Sequence, residues 1–163
     1  MISFIEKLKI HSKEIEDWYN SSISLEETDF IYSPLRIKNI KNPIYEKKDL
    51  LTLDFFNDTQ IRSITIIDFY PGIVDVHNHT NNSYFTYNST KKEYLFFPVE
   101  QNISYKTTHF TIQSNKNAYL FYGNTKIFWE RGVFNQLNLL NVDHSAVNEG
   151  ETPIKFIYFD YYE

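Results

Sequence analysis

Three residues with metal-ligand chemistry, Asp75, His77 and His79, alternate along one short segment of the chain. If this segment forms a β-strand, its side chains alternate between the two faces, so all three project from the same face. Two imidazoles and a carboxylate are suitable ligands for zinc, iron or manganese. The spacing therefore indicates a possible divalent-metal site, and the competing interpretation is a polar strand face that points to water. Three residues elsewhere could supply a further ligand: Asp68, Glu93 and His109.

The segment from Pro71 to Thr80 resembles the first-strand signature of the amidohydrolase superfamily, which often reads Pro-Gly-x-x-Asp-x-His-x-His. The resemblance implies that His77 and His79 bind a catalytic metal and that Asp75 is the accompanying acid. That family folds as a (β/α)₈ barrel of about 250 residues, in which strands alternate with helices. The residues after His79 are too few for such a barrel and have the pattern of hairpins, so the resemblance is confined to this segment.

Other catalytic patterns do not match the sequence. A cupin-like metal site would also use His-x-His on a strand, but it expects a Glu a few residues later, where Ser83 and Tyr84 stand. The four glycines form neither a phosphate-binding loop nor a nucleophile elbow. We therefore predict binding rather than catalysis and expect no cofactor, with a divalent metal at His77 and His79 as the alternative.

Composition limits the classes of partner and compartment. The formal net charge of −5 and the small number of Lys and Arg argue against nucleic acid as the partner. The absence of Cys excludes disulfides, thiolate metal sites and a Cys nucleophile. The N-terminus lacks the pattern of a secretory signal, and no apolar run is long enough to span a membrane. We expect a cytoplasmic bacterial protein that binds neither nucleic acid nor membrane.

Hydrophobic periodicity predicts a mostly β (α+β) fold in a single domain over residues 1–163. A helix is expected over about 3–20, because Ser3 and Glu6 have the spacing of a capping box and an apolar stripe follows at helical period. The period changes to two in the body, about 29–163, where turn residues separate short strands. We predict an antiparallel meander curled into a sandwich or a partly open barrel and packed on the helix. We also expect a strand over 50–56, a short helix near 133–140 and a polar loop over 143–153.

The chain is similar in size, acidity and lack of Cys to immunity proteins of interbacterial toxin systems. A protein of this kind covers a basic toxin domain with exposed carboxylates and tyrosines, because complementary charge speeds encounter and aromatic side chains add affinity. The sequence offers six candidates for such contacts: Glu26, Glu27, Asp29, Glu149, Glu151 and Tyr158. We therefore predict a non-enzymatic immunity or antitoxin-type protein. Two alternatives remain, a small-ligand carrier with an aromatic-lined cavity and a metal-dependent enzyme that uses His77 and His79.

Overall fold

A computed structural model describes residues 1–23, 30–41, 53–77, 83–88, 93–98, 105–137 and 142–162. Within these residues one α-helix, α1, precedes twelve strands, and a short 3₁₀ helix lies between β2 and β3. The helices span Phe4–Ser22 and Asp54–Asn57. The strands are β1 Phe30–Tyr32, β2 Leu35–Lys41, β3 Ile61–Phe69, β4 Gly72–His77, β5 Ser83–Asn88, β6 Glu93–Pro98, β7 Lys106–Gln113, β8 Ala118–Tyr122, β9 Thr125–Phe128, β10 Phe134–Leu137, β11 His144–Asn148 and β12 Ile154–Tyr161.

Helix α1 begins with the capping box that the sequence predicts. The Ser3 hydroxyl accepts a hydrogen bond from the Glu6 amide at 3.2 Å, and the Glu6 carboxylate accepts one from the Ser3 amide at 2.7 Å. These two bonds satisfy backbone donors that the first turn of a helix cannot pair internally. The helix buries one apolar stripe and ends near Ser22, close to the expected boundary.

The strands form two larger antiparallel sheets and one hairpin. A six-stranded sheet, called here the large sheet, has the order β1-β2-β3-β12-β7-β10. A four-stranded sheet, the small sheet, has the order β4-β11-β8-β9, and β5 pairs with β6. The large sheet carries α1 on one face and the small sheet on the other. This arrangement confirms the prediction of a mostly β, antiparallel fold packed with an N-terminal helix.

Two hydrophobic cores hold these layers together, one on each face of the large sheet. The core on the helix side joins the α1 stripe to alternate residues of β3, β7 and β12, among them Leu8, Ile64 and Ile157. The core between the sheets joins Phe69 and Phe156 of the large sheet to Leu120 of the small sheet. Because β12 alternates, Phe156, Tyr158 and Asp160 lie on the inter-sheet face.

The space between the sheets has two distinct ends. Residues 70–71 connect β3 to β4 and residues 149–153 connect β11 to β12, so both connections lie at the same end. There the Asn148 amide donates to the Phe69 carbonyl at 2.9 Å. The opposite end therefore gathers the start of β3, the end of β4, the start of β11 and the end of β12. It is called the polar end because Arg62, His144 and Asp160 lie there.

Three local predictions are wrong for identifiable reasons. Residues 54–57 form a 3₁₀ helix rather than part of a strand, and they bury Phe55 and Phe56 in the helix-side core. Residues 134–137 form β10, paired with β7, instead of a helix, because sheet pairing overrides the helical spacing. Residues 144–148 form β11 inside the expected polar loop, because His144 and Asn148 are polar yet buried.

Candidate functional site

A β-bulge in β4 places Asp75 on the outer face of the small sheet. His144 pairs with His77 and Ala146 with Val74, so two residues of β4 lie opposite a single residue of β11. This β-bulge interrupts strict alternation. Asp75 and Val76 are both exposed as a result, on the outer face of the small sheet. His79 lies outside the described residues.

His144 is a histidine of the polar end that the metal-ligand prediction did not include. Its side chain is 5% exposed, and its Nδ1 lies 2.8 Å from the Val142 carbonyl oxygen. In the tautomer in which Nδ1 donates to this carbonyl, Nε2 carries the lone pair that can bind a metal or accept a proton. In backbone register His144 lies directly beside His77. Sheet pairing thus brings together two histidines that are far apart in sequence.

Asp68, one of the three further ligand candidates, does not lie at this position. Asp68 is buried and accepts a hydrogen bond from the Tyr19 hydroxyl of α1 at 3.5 Å, so it lies on the helix side of the large sheet. Glu93 begins β6. Among the described residues, no group of three His, Asp or Glu side chains is arranged to hold a metal ion.

His109 belongs to an aromatic stack in the inter-sheet space. Its ring lies 4.5 Å from the ring of Phe156 and 5.0 Å from that of Tyr158. The Trp129 indole donates to His109 Nδ1 at 3.3 Å, and Trp129 also packs against Phe69. Close-packed rings therefore occupy the apolar part of this space. An apolar ligand would have to displace them, which leaves the polar end as the better candidate site.

A buried ion pair lies at the polar end. Arg62 Nη1 is 3.8 Å from Asp160 Oδ2, and the two side chains are only 1% and 7% exposed. Asp160 also accepts hydrogen bonds from the hydroxyl groups of Ser63 at 3.0 Å and Thr107 at 2.6 Å. Strand pairing positions both hydroxyl donors, because Ser63 of β3 and Thr107 of β7 lie on either side of Asp160 of β12. The carboxylate is thus held from both neighbouring strands.

Tyr105 completes this cluster. The Arg62 guanidinium carbon lies 3.9 Å from the centre of the Tyr105 ring, a cation–π distance. Burial raises the pKa of Tyr105 to about 12, and the nearby Asp160 carboxylate acts in the same direction. Burial also raises the pKa of Asp160 to about 6, although the Thr107 hydroxyl and Arg62 oppose that rise. The desolvation of Asp160 therefore outweighs the stabilisation that its partners give the charged form.

The residues predicted to contact a protein partner lie in different environments. Glu149 and Glu151 are exposed in the connection between β11 and β12. Tyr158 is partly buried between the sheets, where it forms a hydrogen bond to Asp160. Glu26, Glu27 and Asp29 lie outside the described residues.

No protein-family model matches the chain, and no curated protein is similar to it in sequence. Solved structures do resemble it in fold. The plu4264 protein from Photorhabdus luminescens aligns with a TM-score of 0.51 and 11% identity over 86% of this chain and 84% of that one. The cupin domain of Cnp3 from Schizosaccharomyces pombe aligns with a TM-score of 0.49 and 8% identity over 88% and 74% of the two chains. A protein from Thermotoga maritima described as a predicted oxalate decarboxylase has a TM-score of 0.45 and 11% identity over 79% and 81%.

In the part of the chain that the structure describes, the two antiparallel sheets do not close into a barrel, and they are consistent with a cupin-like β sandwich. Several structural neighbours are described as cupin or double-stranded β-helix proteins, and the descriptions do not point to immunity or toxin–antitoxin proteins. The prediction of an immunity or antitoxin-type protein is therefore wrong. Some neighbours are described as enzymes, but at this level of identity the likeness concerns the fold and not the activity. None of the described helices is long and apolar enough to cross a membrane.

The cluster around Arg62 and Asp160 was missed because its members are distant in sequence and have ordinary spacing. One signal was present. Both residues lie within runs of Ile, Phe and Tyr that predict buried strands, and a charge inside a buried strand needs a partner. A pairing of Arg62 with Asp160 could therefore have been predicted from the sequence.

Proposed function

We propose that this protein binds a small organic acid between its two sheets, at the polar end of the sandwich. The observation that carries the proposal is the buried Arg62–Asp160 pair, surrounded by the hydroxyl groups of Ser63, Thr107 and Tyr105. A small-ligand site typically combines apolar walls with a few convergent polar groups. The aromatic stack around His109 supplies such a wall beside the pair.

A carboxylate is the ligand group that this cluster favours. The planar guanidinium of Arg62 matches a carboxylate through two parallel N–H donors. Hydroxyl donors on Ser63 and Thr107 already hold the carboxylate of Asp160. A ligand carboxylate would therefore replace an internal one, so the site needs no new kind of interaction.

When a ligand carboxylate binds beside Arg62 next to Asp160, the number of protons bound to the protein should change, and this change can be measured. With two carboxylates beside a single guanidinium, like-charge repulsion favours protonation of one of them. Asp160 is the group that takes up this proton, because burial already raises its pKa to about 6. Ligand binding at neutral pH is thus coupled to proton uptake, and affinity rises as the pH falls toward 6.

Calorimetry with a panel of small mono-, di- and hydroxycarboxylic acids tests the proposal. The matched control for each acid is its neutral amide, which has nearly the same shape and lacks the charge. We expect at least one acid to bind while its amide does not, with binding weakened in Arg62→Lys, which keeps the charge and loses the planar fork. Lys116→Gln, an exposed position, serves as the control variant. Equal binding of acids and amides, or unchanged binding in Arg62→Lys, would contradict the proposal.

A divalent metal on His144 and His77 is a second candidate, favoured by their direct pairing in register and by the contact of His144 Nδ1 with the Val142 carbonyl. Metal-binding histidines commonly donate their other ring nitrogen to a carbonyl or a carboxylate. Asp75 does not fit this site because it lies on the outer face.

Titration with Zn²⁺ and Mn²⁺ tests this second candidate. We expect His144→Ala and His77→Ala each to abolish binding and Asp75→Asn to leave it unchanged. Loss of binding in Asp75→Asn, with none in His144→Ala, would instead support the original strand-face prediction.

A further inference from the structure

The outer face of the small sheet carries an exposed apolar surface. Four of its large apolar side chains are between 42% and 68% exposed: Ile73, Val76, Phe121 and Phe128. They come from three of its strands, so they share one face only because the sheet has formed. Contiguous exposed apolar surface of this kind marks interaction sites more often than isolated apolar residues do.

Backbone register arranges this face in two rows that cross all four strands. The first row is apolar and reads Ile73, Val147, Tyr119 and Phe128. The second row has Asp75 at one edge, followed by Ser145, Phe121 and Lys126. The bulge in β4 places both Asp75 and Val76 opposite Ser145. A negative and a positive residue thus occupy opposite edges of the same row, roughly 14 Å apart at the usual spacing of strands.

We propose that this face binds the same face of a second copy of the chain, related by a two-fold axis parallel to the strands and midway between β11 and β8. Such an axis places β4 of one copy over β9 of the other and leaves each row facing its own counterpart. Ile73 then meets Phe128 of the second copy, and Asp75 meets Lys126. Each contact occurs twice, as a two-fold interface requires.

The positions of Asp75 and Lys126 favour this axis over the other two-fold axis that lies in the plane of the interface. A two-fold axis perpendicular to the strands would place β4 over β4 and would exchange the two rows. Asp75 would then lie over Ile73 of the second copy, and Lys126 over Phe128, so charged groups would be desolvated against apolar side chains at a cost. With the parallel axis, both charges meet partners of opposite sign.

The aromatic side chains around Lys126 support its role at the contact. Its amino group lies 3.8 Å from the centre of the Tyr119 ring and within 6 Å of the rings of Phe121 and Phe128. These contacts place the Lys126 amino group beside the aromatic side chains of this face, within the surface that a second copy would cover. The face is small, and we expect a weak dimer rather than a permanent one.

Sedimentation equilibrium tests the proposal over protein concentrations from about 1 μM to about 1 mM, the range expected for a small interface. Asp75→Lys and Lys126→Asp should each weaken the dimer by about tenfold or more, because each reversal places like charges opposite each other twice. The double variant that carries both reversals should restore it, since opposite charges again meet. Both residues are exposed, so circular dichroism should show all three variants folded.

A wild-type chain that stays monomeric throughout this range would overturn the proposal and would leave the face to a different protein. A dimer whose affinity is unchanged in both Asp75→Lys and Lys126→Asp would have its interface elsewhere, and this result would also overturn the proposal. Restoration by the double variant is the result that distinguishes this pairing, because a general loss of charge or of folding cannot reverse itself.

Discussion

Arg62 and Asp160 face each other between the two sheets, with 3.8 Å between Nη1 and Oδ2 and almost no exposure of either side chain. They reach this position from β3 and β12, which are adjacent in the large sheet although nearly the whole β-rich body separates them in sequence. A buried pair of this kind contributes little net stability when it is intact. It becomes costly when one partner is removed, because the other charge remains buried.

Truncation and neutralisation of Asp160 both remove its charge, but only truncation also removes the hydrogen-bond acceptors, so their effects on stability should differ. Asp160→Ala leaves Arg62 without this counter-ion and removes the acceptor for Ser63 and Thr107, so we expect a loss of about 3–5 kcal/mol in the free energy of unfolding. Asp160→Asn also leaves Arg62 without this counter-ion, but it keeps the shape and one carbonyl acceptor, so we expect a clearly smaller loss. Urea denaturation at pH 7 measures both variants. Equal losses in the two variants would show that charge rather than hydrogen bonding dominates at this position.

Stability should depend on pH through the same carboxyl group. Burial raises the pKa of folded Asp160 to about 6, above its ordinary value of 3.8, so the folded protein holds this proton more tightly than the unfolded chain does. The stabilising contribution of this group is full below about pH 4 and is lost as the pH rises to about 6. Asp160→Asn cannot titrate, so its stability relative to the wild type should increase over this interval. If the stability of the two proteins, measured by thermal unfolding, changes in parallel with pH, the raised pKa of Asp160 is disproved.

The capping box gives a prediction that is independent of the site. Ser3→Ala removes the hydroxyl that accepts from the Glu6 amide and should cost about 1 kcal/mol. The matched control is Ser12→Ala in the same helix, where the exposed hydroxyl bonds only to the Lys9 carbonyl. That change should be neutral or slightly stabilising, because Ala favours helix more than Ser does. Thermal unfolding of both variants measures the difference, and an equal effect would argue against a structural role for the cap.

The helix and the class of fold could be predicted from the sequence because both follow from local periodicity and capping. The Ser3–Glu6 box and the apolar stripe are readable within one segment. Strand order was not readable, since the pairing of β12 with both β3 and β7 joins distant segments. Strand β11 was missed for a related reason. Its inward side chains His144 and Asn148 are polar, and only their hydrogen bonds at the ends of the sandwich explain their burial.

The candidate site was predicted only in part. Strict alternation was expected to place Asp75 among the metal ligands, whereas a β-bulge places it on the outer surface of the small sheet. A bulge cannot be inferred from spacing alone, since it depends on the partner strand. Tyr158 was predicted to contact a protein partner because tyrosine offers amphipathic contact area, and the structure shows it partly buried between the sheets with a hydrogen bond to Asp160.

The central claim is that Arg62 meets the carboxylate of a ligand, and side-chain NMR of the arginines tests it most directly. The chain has three arginines, and Arg36 and Arg131 lie outside the cluster, so they serve as internal controls. We predict that titration with the tightest-binding acid from the calorimetric panel shifts the Arg62 Nε–Hε signal in a saturable way and leaves the other two in place. An unchanged Arg62 signal, or equal shifts at all three arginines, would contradict the claim.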